Sequence, residues 1–287
     1  MTLSFRATLT MSLALLAVVA GCGDPSSAPG DMGPDQPDLY DGPIIEPTCD
    51  EFTVRYRITE LHVPTEADVN SGAVVGHNVD RVGTVCGIPD LPGGVDNSLI
   101  DFTSTLPALT PPVESLVLQD AIDLALDCPA DADPSECTRL DLVVSVGSGT
   151  SCALIEIEDG AGATLAGPFV GSLNGAGEVR GTVSAFELTI PYVSPGGVAV
   201  DLELPLVNVI LTAVANESAL TDIVLGGVLL DSDFEAMVME VLPLLGEEPT
   251  FGDVADVVRN LYDVQVEGQC SGLSVGFTGT ATVEASP

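Results

Sequence analysis

The sequence contains no tryptophan and no lysine, and aromatic residues make up only 4% of its 287 positions. Its seven basic residues are all arginine and face 43 aspartate and glutamate residues, which gives a formal net charge of −36. A field of that sign repels nucleic-acid phosphates and anionic lipid surfaces, so we expect no nucleic-acid partner. The scarcity of aromatic rings also argues against an open cleft in which sugars stack on side chains.

Long apolar runs and cofactor motifs are missing as well. After residue 21 the sequence has no run of 18 apolar residues, so a membrane-spanning helix is not expected there. It contains no phosphate-binding loop, dinucleotide fingerprint or haem motif. Zinc is disfavoured because the cysteines lack CxxC spacing and the only histidines are His62 and His77.

A short apolar run near the N-terminus indicates export. Arg6 precedes the run Leu9–Val19, which is about half the roughly 20 residues needed to cross a bilayer. The run ends in Val19-Ala20-Gly21-Cys22, where two small residues allow a peptidase to approach the backbone beside a cysteine. These features predict a signal peptide over residues 1–21.

The motif Val19-Ala20-Gly21-Cys22 resembles the lipobox of bacterial lipoproteins. The resemblance implies acyl chains such as palmitate on Cys22, and this lipid would be the chain's only membrane attachment. In that class, aspartate directly after the cysteine favours the inner membrane. Gly23 occupies that position here and Asp24 follows it, so the resemblance implies the outer membrane, facing the periplasm or the surface.

Residues 22–47 predict an extended tether, because they are rich in proline, aspartate and glycine and poor in apolar residues. Residues 48–287 then form a β-rich extracytoplasmic domain. Their number fits one large domain or two small ones, and both interpretations stay open. The acidity of the chain has two interpretations as well: general solubility, which is favoured, or divalent-cation sites.

Six cysteines remain beyond Cys22, and an even number in an exported chain predicts disulfides. They are Cys49, Cys86, Cys128, Cys137, Cys152 and Cys270. Cys128 and Cys137 flank a short acidic loop and are expected to pair with each other. For the other four, Cys49–Cys86 and Cys152–Cys270 are working pairs only, since six cysteines allow about 15 connectivities.

Alternating apolar and polar residues predict strands, which clusters of glycine, proline and asparagine separate. The strands are expected over Thr53–Val63, Leu140–Val146, Ala153–Ile157, Val179–Ile190 with a slip at Ala185–Phe186, Val198–Leu206, Thr221–Leu230 and Leu273–Val283. Helical spacing predicts three helices, over Val113–Leu126, Ser232–Leu245 and Thr250–Leu261. We therefore predict a mainly β fold, an antiparallel β-sandwich with about three inserted helices, stabilised by disulfides.

The loop between Gly76 and Leu99 is the main candidate for a ligand site. Its carboxylates and amides stand among glycines, and Ca²⁺ takes roughly six to eight such oxygens. The candidate ligands are Asp80, Asp90, Asp96 and Asn97. The loop lacks EF-hand spacing, so a structural interpretation is favoured, in which Asp96 or Asn97 caps a helix that begins near Ser98.

A nucleophile for hydrolysis is suggested only weakly. Ser151 lies in Gly149-Thr150-Ser151-Cys152-Ala153, which departs from a nucleophile elbow because a strand, not a helix, follows it. A base would have to be His62 or His77. We therefore predict no catalytic residues.

The acidic tether, the paired cysteines and the lysine-free body together resemble acidic surface lipoproteins of myxobacterial type, a resemblance that implies no particular chemistry. We predict a lipid-anchored envelope or cell-surface protein with a non-enzymatic binding or structural role toward a protein or glycan. The alternatives are a Ca²⁺-dependent glycan- or protein-binding module and, third, an envelope hydrolase. Apart from Ca²⁺, no cofactor is expected.

Overall fold

Antiparallel strands make up most of the protein. The computed structural model describes Cys49 and residues 54–83, 86–109, 118–129, 131–133, 136–148, 152–193, 199–241 and 251–284. The elements in these ranges are β1 Val54–His62, α1 Glu66–Ser71, α2 Leu99–Leu109, α3 Leu118–Asp127, β2 Leu142–Ser148, β3 Cys152–Asp159, β4 Thr164–Leu173, β5 Glu178–Val193, β6 Ala199–Ala215, β7 Ala219–Leu230, α4 Asp231–Val241, α5 Phe251–Arg259, β8 Val264–Val266 and β9 Gln269–Val283.

The strands form one sheet that closes on itself. Their order is β1-β2-β3-β4-β5-β6-β7-β9-β8, and β1 also pairs with β9. Eight strands therefore surround an interior, and β8 adds a short hairpin to the beginning of β9. Closure gives each of these eight strands a partner on both sides, so their backbone groups pair within the sheet.

The interior of the closed sheet is the hydrophobic core. Successive side chains of a strand point to opposite faces, and β6 follows this rule with Leu202 and Leu204 buried and Glu203 exposed. The main apolar cluster draws on all eight strands of the closed sheet and on α2, α3, α4 and α5.

Strands β5 and β6 change their buried face partway along. Near the start of β5 an odd-numbered residue, Val179, is buried, whereas further along the even-numbered Phe186 is buried. The face of the strand that points inward has therefore changed. On β6 the change falls between Leu206 and Val209, where Asn208 has φ 53°. Residues 186–193 and 199–205 form an arm in which β5 and β6 pair with each other, and these strands contact α3 and α4.

Helix α3 joins opposite walls of the sheet. It contacts both β1 and β5, which stand four strands apart, and its Ile122 is fully buried. Its Gln119 side chain accepts a hydrogen bond from the Val63 amide (2.7 Å) and donates one to the Leu61 carbonyl (3.1 Å), which fixes the helix to the end of β1. Among the helices in the described ranges, none combines the length and apolarity that crossing a bilayer requires.

The predicted fold class is confirmed: the protein is mainly β, antiparallel, interrupted by helices and linked by disulfides. All nine strands belong to one sheet. All seven predicted strands are present, and the three predicted helices correspond to α3, α4 and α5. Residues 113–117, 242–245 and 250 of the predicted helices lie outside the described residues. The sequence did not predict β4, whose side chains are mostly exposed, nor β8 and α1. The slip predicted at Ala185–Phe186 coincides with the change of buried face.

All six cysteines beyond Cys22 form disulfides. The predicted local pair Cys128–Cys137 is confirmed. The two working pairs are wrong, because the bonds are Cys49–Cys152 and Cys86–Cys270, with Cα–Cα distances of 5.8 and 5.6 Å. These bonds join residues 103 and 184 positions apart, so the closed sheet rather than sequence spacing selects the partners.

Ion pairs strengthen the seam between β1 and β9. Arg55 contacts Glu158 of β3 (2.5 Å) and Glu284, just after β9 (3.0 Å). Arg57 pairs with Asp141 and with the same Glu284. The two arginines thus join three separate parts of the chain, and they hold the pKa of Glu284 below its usual value, chiefly through the hydrogen bond from Arg55.

The glycine at position 276 of β9 tests how closely the loop 72–98 approaches the sheet. A Cβ there would lie 2.6 Å from the Asn97 amide nitrogen and 2.7 Å from the Val75 carbonyl oxygen. We expect Gly276→Ala to lower the free energy of unfolding by about 1–3 kcal/mol, because packed backbone would have to shift. Urea denaturation measures this. Gly175→Ala is the control, since a Cβ at that position meets nothing within 4 Å. An equal loss in both variants would contradict the close approach.

Candidate functional site

A segment that we call the strap, residues 72–83 and 86–98, crosses the outer face of the closed sheet. Val79 of the strap packs with Ile210, Val228 and Val264 in an apolar cluster separate from the main core. The Cys86–Cys270 disulfide joins the strap to the beginning of β9. The strap therefore covers apolar surface on β6, β7 and β8 that would otherwise face water.

Asn97 links the strap to β9, because both the nitrogen and the oxygen of its side-chain amide make hydrogen bonds. Its Nδ2 donates to the Val75 carbonyl (2.6 Å) and to the Gly276 carbonyl (3.2 Å), and its Oδ1 accepts from the Gly276 amide (3.0 Å). One buried side chain thus replaces the backbone pairing that a neighbouring strand would offer. Because these bonds are buried, losing one would leave a polar group unpaired at a cost of about 1–3 kcal/mol.

A second set of buried hydrogen bonds begins at Ser98, the residue after Asn97. Asp263 accepts hydrogen bonds from the Ser274 amide (2.8 Å) and the Ser274 hydroxyl, and the Ser274 hydroxyl oxygen also accepts from the Ser98 amide (2.8 Å). Burial raises the pKa of Asp263, although its hydrogen bonds to Ser274 oppose the change. The Ser98 side chain also hydrogen-bonds to Asp263. The three side chains have a structural role, because they belong to three different segments of the chain.

His77 is buried between the strap and the sheet. Its Nε2 lies 3.1 Å from the Val224 carbonyl oxygen and 3.3 Å from the Thr212 hydroxyl. Gly226 admits the imidazole, since a Cβ there would lie 3.2 Å from a ring carbon. Burial lowers the pKa of His77, so the ring is held neutral.

The four predicted calcium ligands do not converge on one point. Asn97 is used by Val75 and Gly276, as described above. Asp96 accepts hydrogen bonds from the amides of Val79 (2.8 Å) and Asp80 (3.5 Å), whereas Asp80 accepts one from the Val82 amide (2.8 Å). A carboxylate oxygen of Asp90 lies 3.5 Å from the side-chain nitrogen of Asn78. Within the described ranges, no group of three His, Cys, Asp or Glu side chains could hold a metal ion.

The favoured structural interpretation of this loop is confirmed in one respect. Helix α2 begins at Leu99, one residue after the predicted start, and Leu99 and Phe102 are buried. The capping groups differ, because Asp96 and Asn97 turn their side chains to the strap and to β9. The acidic loop between Cys128 and Cys137 is closed by their disulfide.

Of the residues considered for hydrolysis, the structure describes the two histidines. Ser151 lies outside the described residues. His77 is buried against Val224, and His62 is exposed at the end of β1, where its Nδ1 lies 3.5 Å from the Gln119 amide nitrogen. Cys152, next to Ser151, is bonded to Cys49.

Asp96 is a buried carboxyl group with an unusual pKa. The residue is only 6% exposed, and this burial raises its pKa to about 6, with the charges of Asp80 and Asp90 acting in the same direction. The folded protein therefore binds a proton at Asp96 more tightly than the unfolded chain does. Stability from this group is fully present below about pH 4 and is lost as the pH rises toward 6.

We expect Asp96→Asn to stabilise the protein at neutral pH and to have little effect near pH 4. The amide still accepts the Val79 hydrogen bond but carries no buried charge, so the gain at pH 7 is about 2–3 kcal/mol. Urea denaturation of both proteins between pH 4 and 7 measures the difference. The lowered pKa of His77 gives a pH dependence of opposite sign in both proteins, so the difference between the two proteins removes it. Asp131→Asn, at an exposed turn, is the control, and a gain independent of pH would contradict the assignment.

Two adjoining hollows on the outer face form what we call the trough. The larger, about 540 Å³, lies between the end of β1, α1, the strap, β7 and β9, and the smaller, about 380 Å³, lies over β4, β5 and β6. Both hollows are bounded by Thr212 and Asp222, so they meet at these residues. The ionisable side chains that line the trough are Glu60, His62, Asp68, Glu178, Arg180 and Asp222.

Asp222 stands at an irregularity in β7. The register with β9 shifts between Leu220 and Ile223, and Asp222 has φ 50°, a conformation that aspartate and asparagine tolerate better than most residues. The sequence analysis missed the trough. The outward positions of each strand could be read from alternation, but only the order of strands in the sheet shows which of them are neighbours.

Comparisons with protein-family models, with curated proteins and with solved structures gave no match to this chain.

Proposed function

We propose that this protein is a lipid-anchored envelope or cell-surface protein whose disulfide-linked β domain has a non-enzymatic binding role. The observation that carries the proposal is that six of the seven cysteines pair with one another, which leaves Cys22 outside the disulfides. Three disulfides are typical of an oxidising compartment outside the cytoplasm. The remaining cysteine is the one in the lipobox-like motif, as expected of a lipid attachment site.

The use of the buried polar groups favours binding over catalysis. In the described part of the chain, the buried polar side chains are His77, Asp96, Asn97, Ser98, Ser145, Glu158, Asp263 and Ser274. Each of them takes part in a hydrogen bond or ion pair with another residue of the described structure. Their roles are therefore structural, whereas the trough presents six ionisable side chains at an accessible surface and is large enough for a small ligand.

Replacing Cys22 tests the anchor. We expect the full chain to incorporate an alkyne analogue of palmitate and to fractionate with membranes, and Cys22→Ser to do neither, because the sulfur is the acceptor of the first lipid. In-gel detection of the alkyne and membrane flotation provide the measurement. The double variant Cys128→Ser/Cys137→Ser is the control and should keep the label, since it removes one local disulfide and leaves Cys22 intact.

Two results would contradict the anchor. One is a wild-type chain that takes up no label. The other is recovery of the chain from the cytosol, uncut and with its thiols reduced. The non-enzymatic role is tested separately with generic esterase and glycosidase substrates, and turnover that survives purification of the wild-type chain would refute it.

A further inference from the structure

We propose that the trough binds an extended, positively charged peptide segment of a partner protein. This inference rests on the binding role proposed above and names the chemical class of its ligand. Its basis is the combination of shape, charge and fixed carboxylates in the trough.

The shape of the trough suits an extended chain. It crosses six neighbouring strands in the order β4, β5, β6, β7, β9 and β1. Measured around the closed sheet at about 4.8 Å between strands, this path is about 24 Å, or roughly seven residues of an extended peptide that curves with the sheet. A compact ligand would occupy only one of the two hollows.

The charge of the trough selects a cation. In the part of the chain that the structure describes, four carboxylates line it, and Arg180 is the only lining arginine. Arg180 stands beside Glu178 at the β4–β5 end, whereas Glu60, Asp68 and Asp222 surround the larger hollow. Val74, 62% exposed, offers an apolar surface to the aliphatic stems of lysine and arginine.

Two carboxylates of the larger hollow are already oriented. Asp68 accepts hydrogen bonds from the Thr65 amide (2.8 Å) and hydroxyl (2.7 Å), and Glu60 accepts one from the Thr280 hydroxyl (3.0 Å). Groups held in place before binding lose less conformational entropy when a ligand arrives. Thr212, where the two hollows meet, lies beside His77 of the strap (3.3 Å).

The composition of the chain argues against other occupants. A second copy would bring its own net charge of −36 to a negative trough, and the chain has no lysine to offer. The described lining residues include no phenylalanine or tyrosine ring on which a sugar could stack. A basic peptide is thus favoured over both a second copy and a glycan.

Fluorescence anisotropy of labelled octalysine with the full chain in detergent tests the proposal. We expect binding that weakens between about 20 and 150 mM salt, because exposed charges are screened. Glu60→Gln/Asp222→Asn should weaken binding about tenfold. Asparagine is chosen at 222 because it tolerates positive φ. Asp201→Asn/Glu203→Gln is the matched control, with the same change of charge at exposed positions on the arm, and should change affinity less than about twofold.

A second variant keeps the test decisive if the first does not fold, as judged by thermal unfolding. Arg180→Gln removes the only lining arginine and should strengthen octalysine binding by about threefold. Equal losses in the trough and arm variants, no binding by the wild-type chain, or preferential binding of a neutral chito-oligosaccharide would each overturn the proposal. Palmitate labelling of the same preparations shows separately whether the anchor has failed.

Discussion

The antiparallel pairing of β1 with β9 is the contact on which the rest of the structure depends. It joins the first strand to the last, from Tyr56 opposite Val283 to His62 opposite Thr278, and so converts a row of strands into a closed sheet. Gly279 permits the approach, since a Cβ there would lie 2.3 Å from the Glu60 carbonyl oxygen. Without this pairing the apolar interior would open to water and β1 and β9 would each lose a partner. The larger hollow would also lose one wall.

The chain reconciles a net charge of −36 with a large apolar core by separating the two in space. Alternation along the strands turns leucine, isoleucine and valine inward and most carboxylates outward. The few buried carboxylates are those with donors at hand: Asp263 receives a hydroxyl and an amide, and Asp96 receives two amides. Scarce arginines are used where they join segments, as Arg55 and Arg57 do at the seam. The outer surface keeps the excess of negative charge, and the trough carries part of it.

The strap connects the fold to the proposed binding site. It covers an apolar part of the outer face, is fixed by one disulfide and by Asn97, and its first residues form a wall of the trough. The strap includes the loop that was the candidate for calcium binding. It forms part of the surface beside which a ligand would lie. Its polar side chains are used within the strap and on β9: Asp80 and Asp96 accept hydrogen bonds from strap amides, Asp90 lies beside the Asn78 side chain, and Asn97 binds β9.

Local pattern was enough to predict the antiparallel class, seven strands, three helices and the short-range disulfide, because alternation, helical spacing and proximity along the chain are properties of neighbouring residues. Pattern failed for β4, which is too exposed to alternate, and for the pairs Cys49–Cys152 and Cys86–Cys270. It also could not show that Glu60, Asp68 and Asp222 share a surface. These features depend on which strands lie side by side, and the closing pair decides that order: residues more than 150 positions apart become neighbours only when the ends of the sheet meet.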